Sequence, residues 1–183
     1  MNFITQDNDI YTFKQDEDNF INFCPSRGGI ITKWVKNSEN ILYFDEDRFL
    51  NKSQSIRGGI PILFPICGSL SKRAFFGDNY IDLNQHGFAR DIVWQFAIDS
   101  EQRTLNLSLV SNQLTKKYYP FDFKLKIQLS FGVDSLEFKI AIENFSRKKM
   151  PINFGLHPYF NISTFKKIEF INHPLNCQNQ KNN

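Results

Sequence analysis

At 183 residues the chain has the length of one domain, and a domain of that size buries roughly 70% of the surface its unfolded chain exposes. Twenty-two Lys and Arg against nineteen Asp and Glu leave a formal charge of +3, too small and too dispersed to make an electrostatic case for nucleic-acid or membrane binding, although small anionic ligands stay open. Twenty phenylalanines can fill a core. They come with abundant Asn, Lys and Ile, a mix that an AT-rich genome also produces, so they do not by themselves indicate a carbohydrate site.

The N-terminus, Met1 to Asp9, carries no apolar run, and the most apolar stretch, Ile60 to Cys67, is broken by Pro61 and Pro65; no membrane span is expected and a cytoplasmic location is. Cys24, Cys67 and Cys177 are odd in number, widely spaced and form no C-x-x-C pair. That pattern favours reduced thiols and gives no metal site.

Taken in order, the chain opens with short strands at Asp9 to Lys14, Asn19 to Cys24 and Gly29 to Val35, the last after the turn signal Pro25-Ser26-Arg27-Gly28-Gly29. A polar turn at Asn37 to Asn40 leads to the apolar run Ile41 to Phe44. Asp45 to Ser55 has no apolar period and reads as a surface loop.

Next comes Ile56-Arg57-Gly58-Gly59-Ile60-Pro61-Ile62-Leu63-Phe64-Pro65, in which paired glycines permit backbone conformations and close approaches that a Cβ forbids. Arg57 stands at its mouth, where its planar fork can meet a phosphate or carboxylate, cap a turn or pair with a nearby acid. Gly68 to Leu83 reads as a polar loop. It delivers the chain to Asn84-Gln85-His86-Gly87-Phe88-Ala89-Arg90, a polar cluster before an expected strand at Ile92 to Ile98 that includes Trp94. Gln85 offers donor and acceptor, His86 a donor, and Arg90 a fixed positive charge, the groups a sugar needs. The plainer alternative pairs Arg90 with Asp91 and uses His86 to cap a turn.

Downstream, Leu105, Leu107 and Leu109 alternate with polar residues, Phe121 to Phe131 alternates without a break, and Leu136, Phe138, Ile140 and Ile142 repeat the pattern after a loop of hairpin length. These are antiparallel strands with one buried face, and their Lys and Glu residues point to water. A helical turn is expected only near Leu114 to Tyr119. A brief strand from Lys167 to Ile171 precedes a polar ending. About ten strands in an alternating all-β chain predict one domain, a large antiparallel β-sandwich.

Between these last strands lies Asn153-Phe154-Gly155-Leu156-His157-Pro158-Tyr159-Phe160-Asn161. Pro158 pushes His157 out of the α region and fixes the local backbone, so an extended segment holds the imidazole in one place. Phe154, Tyr159 and Phe160 can wall such a site against water. A core histidine beside a β-turn is the competing reading.

Together, Arg57-Gly58-Gly59-Ile60-Pro61, Gln85-His86-Gly87-Phe88-Ala89-Arg90 and His157-Pro158-Tyr159-Phe160 resemble the aldose 1-epimerase, or galactose mutarotase-like, family in order and spacing. The Gln-His-Gly-Phe-Ala-Arg form is more similar to the hexose-6-phosphate mutarotase branch. The resemblance implies a pyranose bound in an open cleft of a β-sandwich and interconversion of its α and β anomers: a base takes the C1 hydroxyl proton while an acid protonates the ring oxygen. It puts His157 in the acid's place, Arg57 and Arg90 on a phosphate, Gln85 on a hydroxyl and His86 near the ring, with no cofactor. Members of the family usually run about a hundred residues longer and carry their general base, a glutamate, in that C-terminal part. The expectation is therefore a chain without the family's C-terminal part, which needs that segment or a partner to be active, or else survives as an inactive sugar-binding module or a non-functional fragment.

Overall fold

The computed structural model describes residues 5–6, 9–51, 53–70, 74–76 and 79–162. Its elements in chain order are β1 (Thr5–Gln6), β2 (Ile10–Lys14), β3 (Phe20–Cys24), β4 (Ile30–Lys36), β5 (Glu39–Asn40), α1 (Glu46–Leu50), β6 (Ile62–Leu63), β7 (Ala74–Phe76), β8 (Asn79–Ile81), β9 (Gln95–Asp99), β10 (Thr104–Val110), α2 (Gln113–Tyr118), β11 (Phe123–Phe131), β12 (Leu136–Asn144) and β13 (Gly155–Leu156). The expected strand from Lys167 to Ile171 lies outside the described residues.

Two antiparallel sheets make the sandwich. One runs β1-β2-β3-β4-β5 and the other β12-β11-β10-β9, while β13-β6 and β7-β8 form two-stranded pieces. Alternation places one face of β10 and β11 inward: Leu105, Leu107, Leu109, Phe123, Leu125, Ile127 and Leu129 are all buried. They share one core with Phe13, Ile21, Phe23 and Ile31 of the first sheet. Aromatic rings stitch the two layers: Phe13 stacks on Phe131 with centroids 5.4 Å apart, and Tyr11 and Phe23 both meet Phe96.

The structure corrects the sequence reading in three places. Asp45 to Ser55 is not wholly a loop, because α1 forms within it. Asp45 caps that helix by accepting from the Arg48 amide at 3.0 Å, and Phe49 packs against Cys24 and Ile30. Five residues with one apolar anchor are too few to show a helical period. Gly68 to Leu83 holds the β7–β8 hairpin, whose three-residue strands are equally too short to show alternation. Finally, Trp94 precedes β9 instead of lying within it, because its amide donates to the Pro25 carbonyl and the Ile92 carbonyl accepts from Gly28. Those backbone groups are spent on the turn after β3, and its indole donates to the Ala89 carbonyl at 2.8 Å.

A buried central segment

The segment from Gly58 to Pro65 runs through the middle of the molecule and is buried throughout. Ile60 bonds to Ile31 of β4 at 2.8 Å, and the Gly59 amide donates to Tyr43 at 2.7 Å. Ile41 to Phe44 does not form a continuous strand; it contributes isolated bridges, Leu42 to Phe160 and Phe44 to Gly58. Each sequence motif that carries polar chemistry is attached to this segment.

Candidate active site

The His157 motif lies along one side of the central segment. Leu156 and Gly155 of β13 pair with Ile62 and Leu63 of β6. On either side of that pair the Asn153 amide donates to Pro65, His157 to Pro61 and Tyr159 to Gly59, at 2.9–3.0 Å. His157 is thus held at backbone level by the extended geometry that Pro158 favours, and its side chain is exposed, which rules out the core-histidine reading. Of the three aromatic candidates, Tyr159 stacks on the imidazole with ring centroids 4.9 Å apart. Phe154 instead packs against the core, and Phe160 stands 52% exposed.

The Gln85–Arg90 motif docks on the same segment through Phe64, which bridges Gly87 and accepts from the Phe88 amide at 3.0 Å. Gly87 is required there: its φ is +73°, and a Cβ would stand 2.2 Å from the Phe64 carbonyl oxygen. At Gly59 the need is the same, with φ at +66° and the Ile31 oxygen 2.4 Å from a would-be Cβ. Two loops far apart in sequence are thereby brought onto one short strand, and the His86 and His157 rings approach edge-to-face with centroids 5.7 Å apart.

His86 is fixed from two directions. Its backbone, at φ +71°, lies in the left-handed region that non-glycine residues seldom adopt. Its amide donates to the Gly68 carbonyl at 2.8 Å, and its Nδ1 accepts from the Gly68 amide at 2.9 Å. An Nδ1 that accepts must be unprotonated, so neutral His86 carries its proton on Nε2. Burial, the Arg90 charge and His157 hold its pKa below the ordinary histidine value. The turn-capping role foreseen for His86 is therefore present together with its approach to His157.

Arg90 donates to the Gln85 carbonyl at 3.0 Å and pairs with the Asp91 carboxylate at 3.8 Å, as the plainer reading expected. Burial raises the Asp91 pKa against the opposing pull of Arg90 and Arg27. Arg57 and Gln85 have exposed side chains with no hydrogen bond or ion pair to other described residues. The Arg57 carbonyl accepts from Asp45 at 2.9 Å, which pins the backbone while leaving the guanidinium available.

Two features escaped the sequence. One is Gly68, whose backbone sets the His86 tautomer; only folding makes residues 68 and 86 neighbours. The other is a cavity of about 510 Å³ lined in part by Ser26, Arg27, Gln54, Ser55, Arg90 and Asp91. Arg27 reaches it from the turn after β3, with its guanidinium 4.8 Å from the Phe49 ring centroid. Among the described residues no cluster of His, Cys, Asp and Glu is arranged to hold a metal, and no helix is long and apolar enough to cross a membrane.

Fold and site define a class: an antiparallel β-sandwich that brings two histidine rings together beside exposed polar loops. The chain belongs to the aldose 1-epimerase family, whose family model matches residues 9–178. The Slr1438 protein of Synechocystis sp. PCC 6803 superposes with a TM-score of 0.78 at 37% identity, over 87% of this chain and 57% of that one. A galactose mutarotase-like protein of Lactobacillus casei shares the fold, with a TM-score of 0.71 over 84% of this chain and half of its own. Proteins named "Putative glucose-6-phosphate 1-epimerase" from Cenchrus ciliaris and Escherichia coli are 27% and 26% identical over 77% and 78% of this chain. The chain spans about half the length of these curated relatives, 44% and 45% respectively.

Proposed function

We propose that this chain carries the sugar-binding face and the acid of an aldose 1-epimerase that interconverts the α and β anomers of a hexose or hexose 6-phosphate. The convergence of the His86 and His157 rings on one buried strand carries the reading. In it His157 protonates the ring oxygen as the C1 hydroxyl loses its proton, the ring opens to the aldehyde, C1 rotates and the ring recloses with the proton returned. An imidazole suits both halves of that cycle because it gains and loses a proton near neutral pH. His86, neutral, donates through Nε2 to a sugar oxygen, and Gln85 binds a hydroxyl.

Arg57 and Arg90 take the phosphate of a phosphorylated substrate; Arg57 is supported by a guanidinium that engages no other described residue, and Arg90 acts with its charge partly offset by Asp91. The base on the C1 hydroxyl comes from the portion of the family fold that has no counterpart in these residues. A phosphorylated hexose is made inside cells, and on this reading the protein works in the cytoplasm.

The test is anomerisation of α-glucose 6-phosphate followed by exchange NMR, comparing the chain, His157→Ala and buffer. With the remainder of the family fold supplied to both proteins, acceleration above buffer that falls by about 10² to 10⁴ in the variant is expected, since one acid–base group contributes that much in rate. Equal acceleration by chain and variant would refute the role of His157. A second reading is a sugar-binding module without catalysis, whose candidate binding groups Arg57 and Gln85 stand exposed. It predicts saturable calorimetric heat with glucose 6-phosphate, lost in Arg57→Ala, and no acceleration by either protein.

A further inference from the structure

Arg27 ends a one-turn 3₁₀ helix, Pro25–Arg27, which Pro25 opens and the left-handed Gly28 closes. The segment that carries Arg90 holds this turn in place. The Gly28 amide donates to the Ile92 carbonyl and the Trp94 amide to the Pro25 carbonyl, both at 2.9 Å. Gly28 lies so close to the Arg90 backbone that a Cβ there would stand 2.2 Å from the Arg90 carbonyl oxygen. Two arginines far apart in sequence are thereby fixed on adjoining backbone, each with a partly buried side chain.

Both line the cavity of about 510 Å³, a volume within the range of small-molecule sites. The Arg27 guanidinium lies over the Phe49 ring and makes one long hydrogen bond, 3.4 Å to the Gln54 carbonyl. It forms no ion pair among the described residues, so most of its donors face the cavity without a strong partner. Arg90 pairs with Asp91 and donates to the Gln85 carbonyl beside His86, which joins the cavity to the histidine loop.

Charge decides what such a lining fits. Arg27 and Arg90 are opposed there by Asp9 and Asp91, so a bare anion gains little net attraction. A phosphate ester that also carries hydroxyls uses both signs: the planar guanidinium forks meet phosphate oxygens and the carboxylates accept from hydroxyls. A plain sugar leaves the arginines unmatched.

We infer that this cavity receives the phosphate-bearing end of a sugar phosphate, and that Arg27 binds the phosphate and sets the preference for phosphorylated over plain hexose. This role rests on the reading of Arg90 as a phosphate ligand.

The test is an NMR titration of the 183-residue chain with glucose 6-phosphate, glucose and inorganic phosphate, following the Arg27 Nε–H signal and the histidine rings. In the parent the Arg27 signal should shift with glucose 6-phosphate, which should bind at least roughly tenfold more tightly than glucose or inorganic phosphate. Arg27→Gln should erase most of the advantage over glucose, and Arg27→Lys should restore part of it, because the charge returns without the fork. An Arg27 signal that glucose 6-phosphate leaves unmoved would overturn the inference. So would an advantage that survives in Arg27→Gln, including one that survives because both sugars weaken alike through a structural defect. Either result, with Arg57→Ala still weakening glucose 6-phosphate, would leave the proposed function standing. Conversely, Arg27-dependent binding of glucose 6-phosphate with both histidine rings unmoved would support the cavity and count against the proposed function.

Discussion

Leu129 and Ile140 lie one strand apart on the same face of the same sheet, yet the first is fully buried and the second 37% exposed. Their sequence surroundings are indistinguishable, each being an apolar residue in a strictly alternating strand. The difference is what covers them. Up to Leu129 the inward face is buried against the first sheet and the central segment, whereas beyond it Leu136, Phe138 and Ile142 pack on the core only in part and Ile140 stands exposed. Alternation reports which face is apolar, and only tertiary structure decides whether that face is covered.

The comparison can be broken by mutation. Leu129→Ala should cost the most, about 2 to 5 kcal/mol, because it removes buried methyl groups and leaves a cavity; the midpoint of urea unfolding reads it. Gly87→Ala comes next, at about 1 to 3 kcal/mol, since its positive φ and the Phe64 oxygen both oppose a Cβ. That substitution should also shift the His86 ring signals, because the site hangs on the same contact. Ile140→Ala should cost no more than about 1 kcal/mol in the chain alone. A loss at Ile140 equal to that at Leu129 would mean that Ile140 is covered as well.

The smallest expected effect is one of pH. The folded pKa of His86 lies below its unfolded value, so the unfolded chain takes up the proton first as pH falls. The contribution of neutral His86 to stability is therefore complete above about pH 6.5 and is lost as pH drops from there toward the depressed folded value. Between about pH 7.5 and about pH 5 the parent should lose more stability than His86→Gln, measured by urea midpoints at each pH. Equal losses would show that the imidazole is not held neutral by its Gly68 contact and surroundings.

Much of this was legible in the residues. Long alternating runs announced β10, β11 and β12, and the paired glycines of the Arg57 motif announced close backbone approaches, which the structure shows at Gly59, whereas the same need at Gly87 emerged only from the fold. Short elements were not legible: α1 and the β7–β8 hairpin hold too few residues to express a period. Nor was the partnership of Gly68 with His86, which depends on a backbone amide and leaves no side-chain signature. Trp94 looked like a strand residue because its neighbours are apolar, but a ladder needs free backbone groups and those of Ile92 and Trp94 are committed to the turn at Pro25 to Gly28.

On the proposed function, the motifs around residues 57, 86 and 157 act as one sugar site. Long-range ¹H–¹⁵N NMR of the histidine rings during titration with glucose 6-phosphate tests it. The His86 and His157 signals should move together along one saturation curve, and Arg57→Ala should weaken both responses equally. Movement of only one ring, or of neither at saturating sugar phosphate, would contradict a shared site.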